Sequence, residues 1–259
     1  LPDLIVERAD GVVRATLNRP ERKNALSYAL FDELRALFEE VEHREDDRAL
    51  VLQGVPGAFS SGMDLADRAP EGWPPPGSLG AMQRIHATAL ALHQLSKPSV
   101  AAVDGLAAGA GMSLALGCDL VLASTRARFS AIFARRGLSV DFGLSWLLPR
   151  LVGLGKAKEL SLLAEFVDAE EALRIGLVAR VVDAVELPAA VGDVARRLAG
   201  GPTLALRRDV TLLQASLERS FEEAVDAEAH AQVANLGTED AAEAIAAFLE
   251  KRDASFRGR

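Results

Sequence analysis

The stretch "VAAVDGLAAGAGMSLALGCDL", Val100–Leu120, restricts the fold more than any other part of the chain. It reads as a strand ending at Asp104-Gly105, a Gly-Ala-Gly turn, a small-residue helix over Gly109–Leu116 and a second strand over Asp119–Ala123. Strand, helix and strand in such short succession are the α/β pattern. The helix has almost no side-chain bulk, so its backbone lies close to whatever it packs on. This has two competing readings. Small residues let a ligand oxygen approach the free N–H of Ala110 at the positive end of the helix dipole, which makes Ala110 a candidate oxyanion donor. They suit tight packing of a buried helix on a sheet equally well, and the spacing does not choose.

Two other motifs fit this stretch poorly. A dinucleotide fingerprint needs a third glycine, which Gly109-Ala-Gly111-Met-Ser-Leu lacks, and no strand is read as directly abutting it. Gly111-Met-Ser113-Leu-Ala115 approaches a nucleophile elbow, but an elbow serine sits at the strand-to-helix turn and Ser113 falls inside the helix. Its partners could only be Asp141 or Asp183 with His230, which lies on a polar helix.

Around this centre, Leu4–Arg8 and Val12–Asn18 read as a hairpin through Ala-Asp-Gly. Ser27 caps a helix to about His43, with Leu30, Leu34, Leu37, Phe38 and Val41 at helical spacing. Arg48–Gln53 is a buried strand, and Arg68–Ser78, rich in Pro and Gly, is a mobile surface loop followed by a helix to about Leu95. Beyond Leu144 the pattern is mostly helical: Gly153–Leu163, Ala169–Ile175, Leu187–Leu198, Thr203–Leu217, Phe221–Asn235 and Thr238–Lys251, with a short strand over Ala179–Val182. No internal repeat of useful period is visible in the residues.

With 259 residues, 49% apolar and 25% charged, the chain has ample core. A net charge of −8 argues against a nucleic-acid partner. No apolar run approaches a membrane span, and the first residues carry charges where a signal peptide needs an apolar core, so a cytoplasmic location is expected. A single cysteine, Cys118, excludes an intrachain disulfide framework. The four histidines form no metal-ligand pattern.

Two further stretches bear on chemistry. In "AFSSGMDL", Ala58–Leu65, Gly62 permits a sharp turn, a helical turn is read from Met63, and Asp64 favours that N-terminus. The Met63 N–H is then a second free donor, and two donors aimed at one point make an oxyanion hole. In "GLSVDFGLSWLLPR", Gly137–Arg150, a lone carboxylate, Asp141, stands among Val140, Phe142 and Trp146. Either it opens a turn beside Gly143, or the fold keeps it in an apolar place, where its pKa rises.

Together these motifs resemble the enoyl-CoA hydratase/isomerase (crotonase) family. "LNRPERKNALS" is similar to its CoA-contacting segment, "AFSSGMDL" to its first oxyanion segment, V-A-x-V-D-G with G-A-G and L-x-C-D-L to its second, and "EALRIGLVARVV" and "AFLEKR" to its C-terminal part. The resemblance spans essentially the whole chain. It implies a ClpP-like spiral of repeated ββα units. Residues 1–185 would form the core that binds acyl-CoA. Residues 186–259 would form helices for oligomer contacts and active-site cover, in a homotrimer or dimer of trimers. It implies acyl-CoA thioester substrates and no separate cofactor, coenzyme A being part of the substrate. The donors are then Met63 and Ala110, at the glycine turns Gly62 and Gly109. Lys23, Ala25 and Leu26 lie near the adenine and phosphates, and Ser61, Asp64 and Leu65 beside the first donor. Lys251 is a phosphate contact from a neighbouring subunit or simply a solvated helix end.

Hydratases of this family use two glutamates, and their positions here hold Ser113 and Phe133. The segment around Asp141 is closer to isomerases of the phenylacetate-degradation type, which carry an active-site Asp there. The resemblance therefore implies a double-bond shift from 3-enoyl to 2-enoyl thioester. Asp141, its pKa raised among Val140, Phe142 and Trp146, would carry one proton, with Phe133 helping to keep the cavity dry. Three alternatives stand: a hydratase with a non-standard water site, a hydrolase or dehalogenase with Asp141 as nucleophile helped by His86, and a non-catalytic acyl-CoA-binding protein. His86 is otherwise a helix residue beside a mobile loop, and His43, His93 and His230 are surface residues.

Overall fold

A computed structural model describes residues 1–259. Its elements repeat as two strands and a helix. The first unit is β1 (Leu4–Ala9), β2 (Val12–Leu17) and α1 (Tyr28–His43), and the second is β3 (Ala49–Gly54), β4 (Ala58–Ser60) and α2 (Leu79–His93). The third is β5 (Ser99–Val103), β6 (Leu106–Ala108) and α3 (Ala110–Leu116), and the fourth is β7 (Leu120–Ser124), β8 (Arg128–Ser130) and α4 (Leu144–Leu163). After these come β9 (Val167–Asp168), α5 (Ala169–Arg174) and β10 (Arg180–Val182), then α6 (Leu187–Ala199), α7 (Thr203–Gln214), α8 (Phe221–Leu236) and α9 (Glu239–Glu250). The repeat is invisible in the residues because the units start at irregular intervals, at Leu4, Ala49, Ser99 and Leu120.

From the second unit on, the two strands of a unit enter different sheets. The larger sheet runs β1-β2-β3-β5-β7-β10 and the smaller β4-β6-β8-β9. The bend between them is tight at Gly105, where φ is +76° and a Cβ would meet the Gly57 carbonyl oxygen at 2.7 Å. All pairs in the larger sheet beyond the β1/β2 hairpin are parallel. Parallel strands are covered on both faces and read as continuous apolar runs. One face packs on α1 through Leu30, Leu34, Phe38 and Val41, all fully buried. On the other, Val51, Val100, Ala102 and Leu122 pack against Leu187, Val191 and Ala195 of α6. Each such side chain contributes about 1.5–3 kcal/mol by leaving water.

Local expectations hold where capping and period act together. Ser27 accepts from the Leu30 N–H at 3.2 Å and starts α1. At the other end of α1, the buried Lys97 ammonium donates to the Val41 carbonyl at 2.6 Å and to that of Arg44, satisfying carbonyls left free by the last turn. The segment Arg68–Ser78 lacks regular structure, as expected, but it is anchored rather than loose. The Trp73 indole donates to Asp32 at 3.1 Å and packs edge-on against Tyr28. Helix α4 starts earlier than the residues suggest, at Leu144, and kinks at Gly153, where φ is +76°. No helix is long and apolar enough to cross a membrane.

Candidate active site

The smaller sheet brings two loops side by side. Strands β4 and β6 pair in parallel, with Ser60 opposite Ala107, so residues 61–63 and 109–110 leave the sheet together. The Leu26 N–H donates to the Gly62 carbonyl at 2.8 Å and the Asp64 N–H to the Leu26 carbonyl at 2.9 Å. Leu26 therefore bonds the residues on either side of Met63, and the Met63 N–H points away from it. Met63 is extended backbone, and the helical turn expected there does not form; pairing with Leu26 wins over the weak local signal of Asp64.

Gly62 has φ +94°, and a Cβ on it would lie 2.7 Å from the Ala108 oxygen and 3.4 Å from the Ala110 nitrogen. Opposite it, Gly109 holds φ +53° and ψ −129°, a conformation suited to glycine, and turns the end of β6 into α3. Ala110 is the first residue of α3, so its N–H has no acceptor within the helix. The two readings of the small-residue run apply at different positions. Gly109 leaves the Ala110 N–H without a partner in the helix, whereas Gly111 serves packing, since a Cβ there would meet the Ser60 oxygen at 2.5 Å. The expectation that no strand abuts the turn is overturned: β6 runs directly into Gly109, but at three residues it is too short to show a period.

Residues implied for coenzyme A gather around the Leu26–Met63 pairing. Lys23 is exposed with a left-handed backbone, and its carbonyl accepts from the Ser61 N–H at 3.0 Å. Ala25 and Leu26 are buried and Leu65 is exposed. Asp64 has a different task from ligand contact. Its buried carboxylate pairs with Arg19 at 3.0 Å and accepts from the Ala66 N–H, while Arg19 also donates to the Ala25 carbonyl at 2.6 Å. Asn24 completes the brace, accepting from the Arg19 N–H and donating to the Ala58 carbonyl at 2.7 Å. Arg19 and Asn24 were not singled out in the sequence, because a brace has no local pattern.

Asp141 combines both readings made for it. Its carbonyl accepts from the Leu144 N–H at 3.0 Å, and the central residues Phe142 and Gly143 have φ +53° and +82°, so the chain does turn here. A bulky residue with positive φ stores strain of about 1–3 kcal/mol. The side chain, however, makes no turn hydrogen bond, and Oδ1 is buried without a partner. Burial pushes the carboxyl above the ordinary carboxylate range, and the charge of His86 pulls it partly back.

Next to Asp141 is a cavity of about 460 Å3, lined by His86, Leu90, Ser113, Phe142, Trp146 and Leu147 among others. His86 is therefore a site residue and not a bystander in a mobile region, and its buried Nε2 also has no partner. His93 lines the same cavity and meets Trp146 edge-on, with ring centroids 5.1 Å apart. Trp146 is fixed by its indole N–H donating to Glu218 at 3.0 Å and by Arg150 stacked 3.7 Å over its ring. Phe133 is buried beside Gly109, 3.9 Å from where a Cβ would stand. Ser113 bonds only backbone carbonyls, and His230 sits exposed on α8 bonded to the Asp226 carbonyl, so no serine triad forms. Lys251 ends α9 as an exposed left-handed cap and shares no hydrogen bond or ion pair with the groups around Met63. A separate hollow of about 560 Å3 between α7 and α8 is lined by His230 among others and holds none of Asp141, His86, Ser113 and Trp146.

The glycine turns at Gly62 and Gly109 thus face each other, and a largely apolar cavity lies next to one buried carboxylate, Asp141. The family model for enoyl-CoA hydratase/isomerase matches residues 7–259. The chain belongs to the enoyl-CoA hydratase/isomerase family. It is 36% identical to the 1,2-epoxyphenylacetyl-CoA isomerase of Escherichia coli (strain K12), over 96% of both chains. It is 32% identical to the short-chain-enoyl-CoA hydratase of Clostridium acetobutylicum, over 97% of this chain and 96% of the relative. The crystal structure of the enoyl-CoA hydratase from Bacillus anthracis superposes with a TM-score of 0.93 at 30% identity, covering 100% of each chain. The four ββα units are thus those of the crotonase fold, and the protein is an acyl-CoA enzyme of this family.

Proposed function

We propose that the protein shifts a double bond in an acyl-CoA thioester, converting 3-enoyl-CoA to 2-enoyl-CoA. The Met63 and Ala110 N–H groups hold the thioester oxygen as an enolate forms, which stabilises charge that develops in the transition state. Asp141 takes a proton from C2 and returns it at C4. The observation that carries this reading is the carboxylate inventory. The two positions where a hydratase has glutamates hold the buried Ser113 and Phe133, and no Asp or Glu lines the cavity beside Asp141. One carboxylate suffices for a proton shift, whereas hydration has to hold a water as well. Phe142, Trp146 and Leu147 give the cavity apolar walls that do not hold such a water.

Coenzyme A would lie along Lys23, Ala25, Leu26, Ser61 and Leu65, with Lys251 reaching the phosphates from a neighbouring chain. Exposed apolar side chains on the last helices, including Phe221, Leu236, Phe248 and Leu249, support a homotrimer or dimer of trimers. Asp141→Asn tests the chemistry: turnover of a 3-enoyl-CoA should fall by about 10²–10⁴-fold with little change in thioester binding. Retained turnover would remove Asp141 from the mechanism.

A second reading rests on the unpartnered His86 Nε2 next to Asp141. Asp141 would attack the thioester carbonyl carbon, expelling the CoA thiolate and leaving an anhydride, or a halogenated aryl carbon, expelling halide and leaving an aryl ester, and His86 would then deprotonate the water that cleaves it. Release of free CoA or halide distinguishes it from isomerisation.

A further inference from the structure

We propose that Ser113 is a positioning residue: its hydroxyl fastens the Asp141 backbone to the helix that carries the Ala110 donor. The inference deepens the reading of Asp141 as the proton carrier and rests on it. Ser113 stands three residues after Ala110 in α3 and is 1% exposed. Its Oγ lies 3.2 Å from the Asp141 carbonyl oxygen and 3.3 Å from the Gly109 carbonyl oxygen. A hydroxyl has one hydrogen, so the two acceptors share it. Bonding to Gly109 alone would be an ordinary back-bond within the helix. The Asp141 carbonyl is different, because it belongs to a loop outside the helix: Gly137, Leu138 and Ser139 before it are exposed, and Phe142 and Leu144 after it anchor in the core.

The strut acts where the backbone is least comfortable. Phe142 and Gly143 both have positive φ, and the only other hydrogen bond on the Asp141 carbonyl comes from Leu144 within the same turn. The turn's own bond sets its shape, and Phe142 and Leu144 anchor it in the core. Ser113 adds a direct tie between the Asp141 backbone and the first turn of α3, which also carries Gly109 and Ala110. One hydroxyl therefore fixes the offset between the donor N–H and the carboxylate. A base has to stand about 2.6–3.2 Å from the proton it takes. A displacement of about 1 Å costs on the order of a hundredfold in rate.

The experiment compares Ser113→Ala and Ser113→Thr in wild-type and Asp141→Asn backgrounds, reading kcat and KM for a 3-enoyl-CoA thioester and Tm. Expected are a kcat loss of about ten- to a hundredfold in Ser113→Ala, KM nearly unchanged, partial recovery in Ser113→Thr, which keeps the hydroxyl, and no further loss when Ser113→Ala is added to Asp141→Asn. Wild-type kcat in Ser113→Ala would overturn the proposal, as would equal losses for Ala and Thr accompanied by a large fall in Tm, which is a packing role. If Asp141→Asn itself keeps full turnover, the functional reading fails; if Asp141→Asn is inactive and Ser113→Ala is not, only the strut fails.

Discussion

At the scale of single residues, the proposed role of Asp141 makes a prediction about pH. Burial raises its carboxyl pKa, so the folded state favours the neutral form. Two signs follow. Turnover needs the carboxylate, so kcat should fall as pH drops through a value above the ordinary carboxylate pKa of about 3.9, measurable as the acid limb of a pH–rate profile. Stability runs the other way. With the folded pKa above the unfolded one, the contribution of Asp141 is fully present below the unfolded pKa and is lost as pH rises through the folded pKa. Asp141→Asn should therefore raise Tm at pH 7, and the gain should vanish below about pH 4. A lower Tm at pH 7 would show that the carboxylate has a stabilising partner in the folded state. The sequence already marked Asp141 as a charge in an apolar run. It offered His86 only through the resemblance to a dehalogenase, because the relation of His86 to Asp141 exists only once α2 packs beside the turn into α4.

At the scale of elements, the oxyanion geometry depends on two strands that local patterns do not reveal. Strands β4 and β6 have three residues each and exist because they pair with each other. Gly62 is where this pairing is most sensitive. Gly62→Ala should cost about 1–3 kcal/mol of stability from strain and lower kcat by on the order of a hundredfold as the Met63 donor is displaced. Gly57→Ala is the control: φ is +114°, but a Cβ there meets nothing within 4 Å. It should lower stability and leave kcat unchanged. Equal kcat losses in both would detach the donor argument from the contact with Ala108. By contrast α1 was legible from its residues, because Ser27 and the spacing of Leu30, Leu34, Phe38 and Val41 act locally. Met63 was found as a donor for the wrong local reason, since pairing with Leu26 aims its N–H and no helical turn does.

At the scale of the whole molecule, α6 is packed on the sheet through apolar side chains, whereas α7 is tied to the core by half-buried polar groups. Arg207 of α7 donates to Glu42 at 2.6 Å and to Ser96 at 2.7 Å. Arg207→Ala should cost about 1 kcal/mol, the partners being partly solvated. Hydrogen exchange should quicken in α7 while β3 and β5 keep their protection; uniform loss would mean that α7 and the sheet open as one unit. The decisive measurement addresses the chemistry that the whole fold supports. Purified protein is given 3-enoyl-CoA, and the product is followed by chromatography and mass. A new retention time at unchanged mass is the predicted result, a double bond moved by one carboxylate. Gain of one water as the first product would contradict it and place a held water in the cavity that Phe142, Trp146 and Leu147 line.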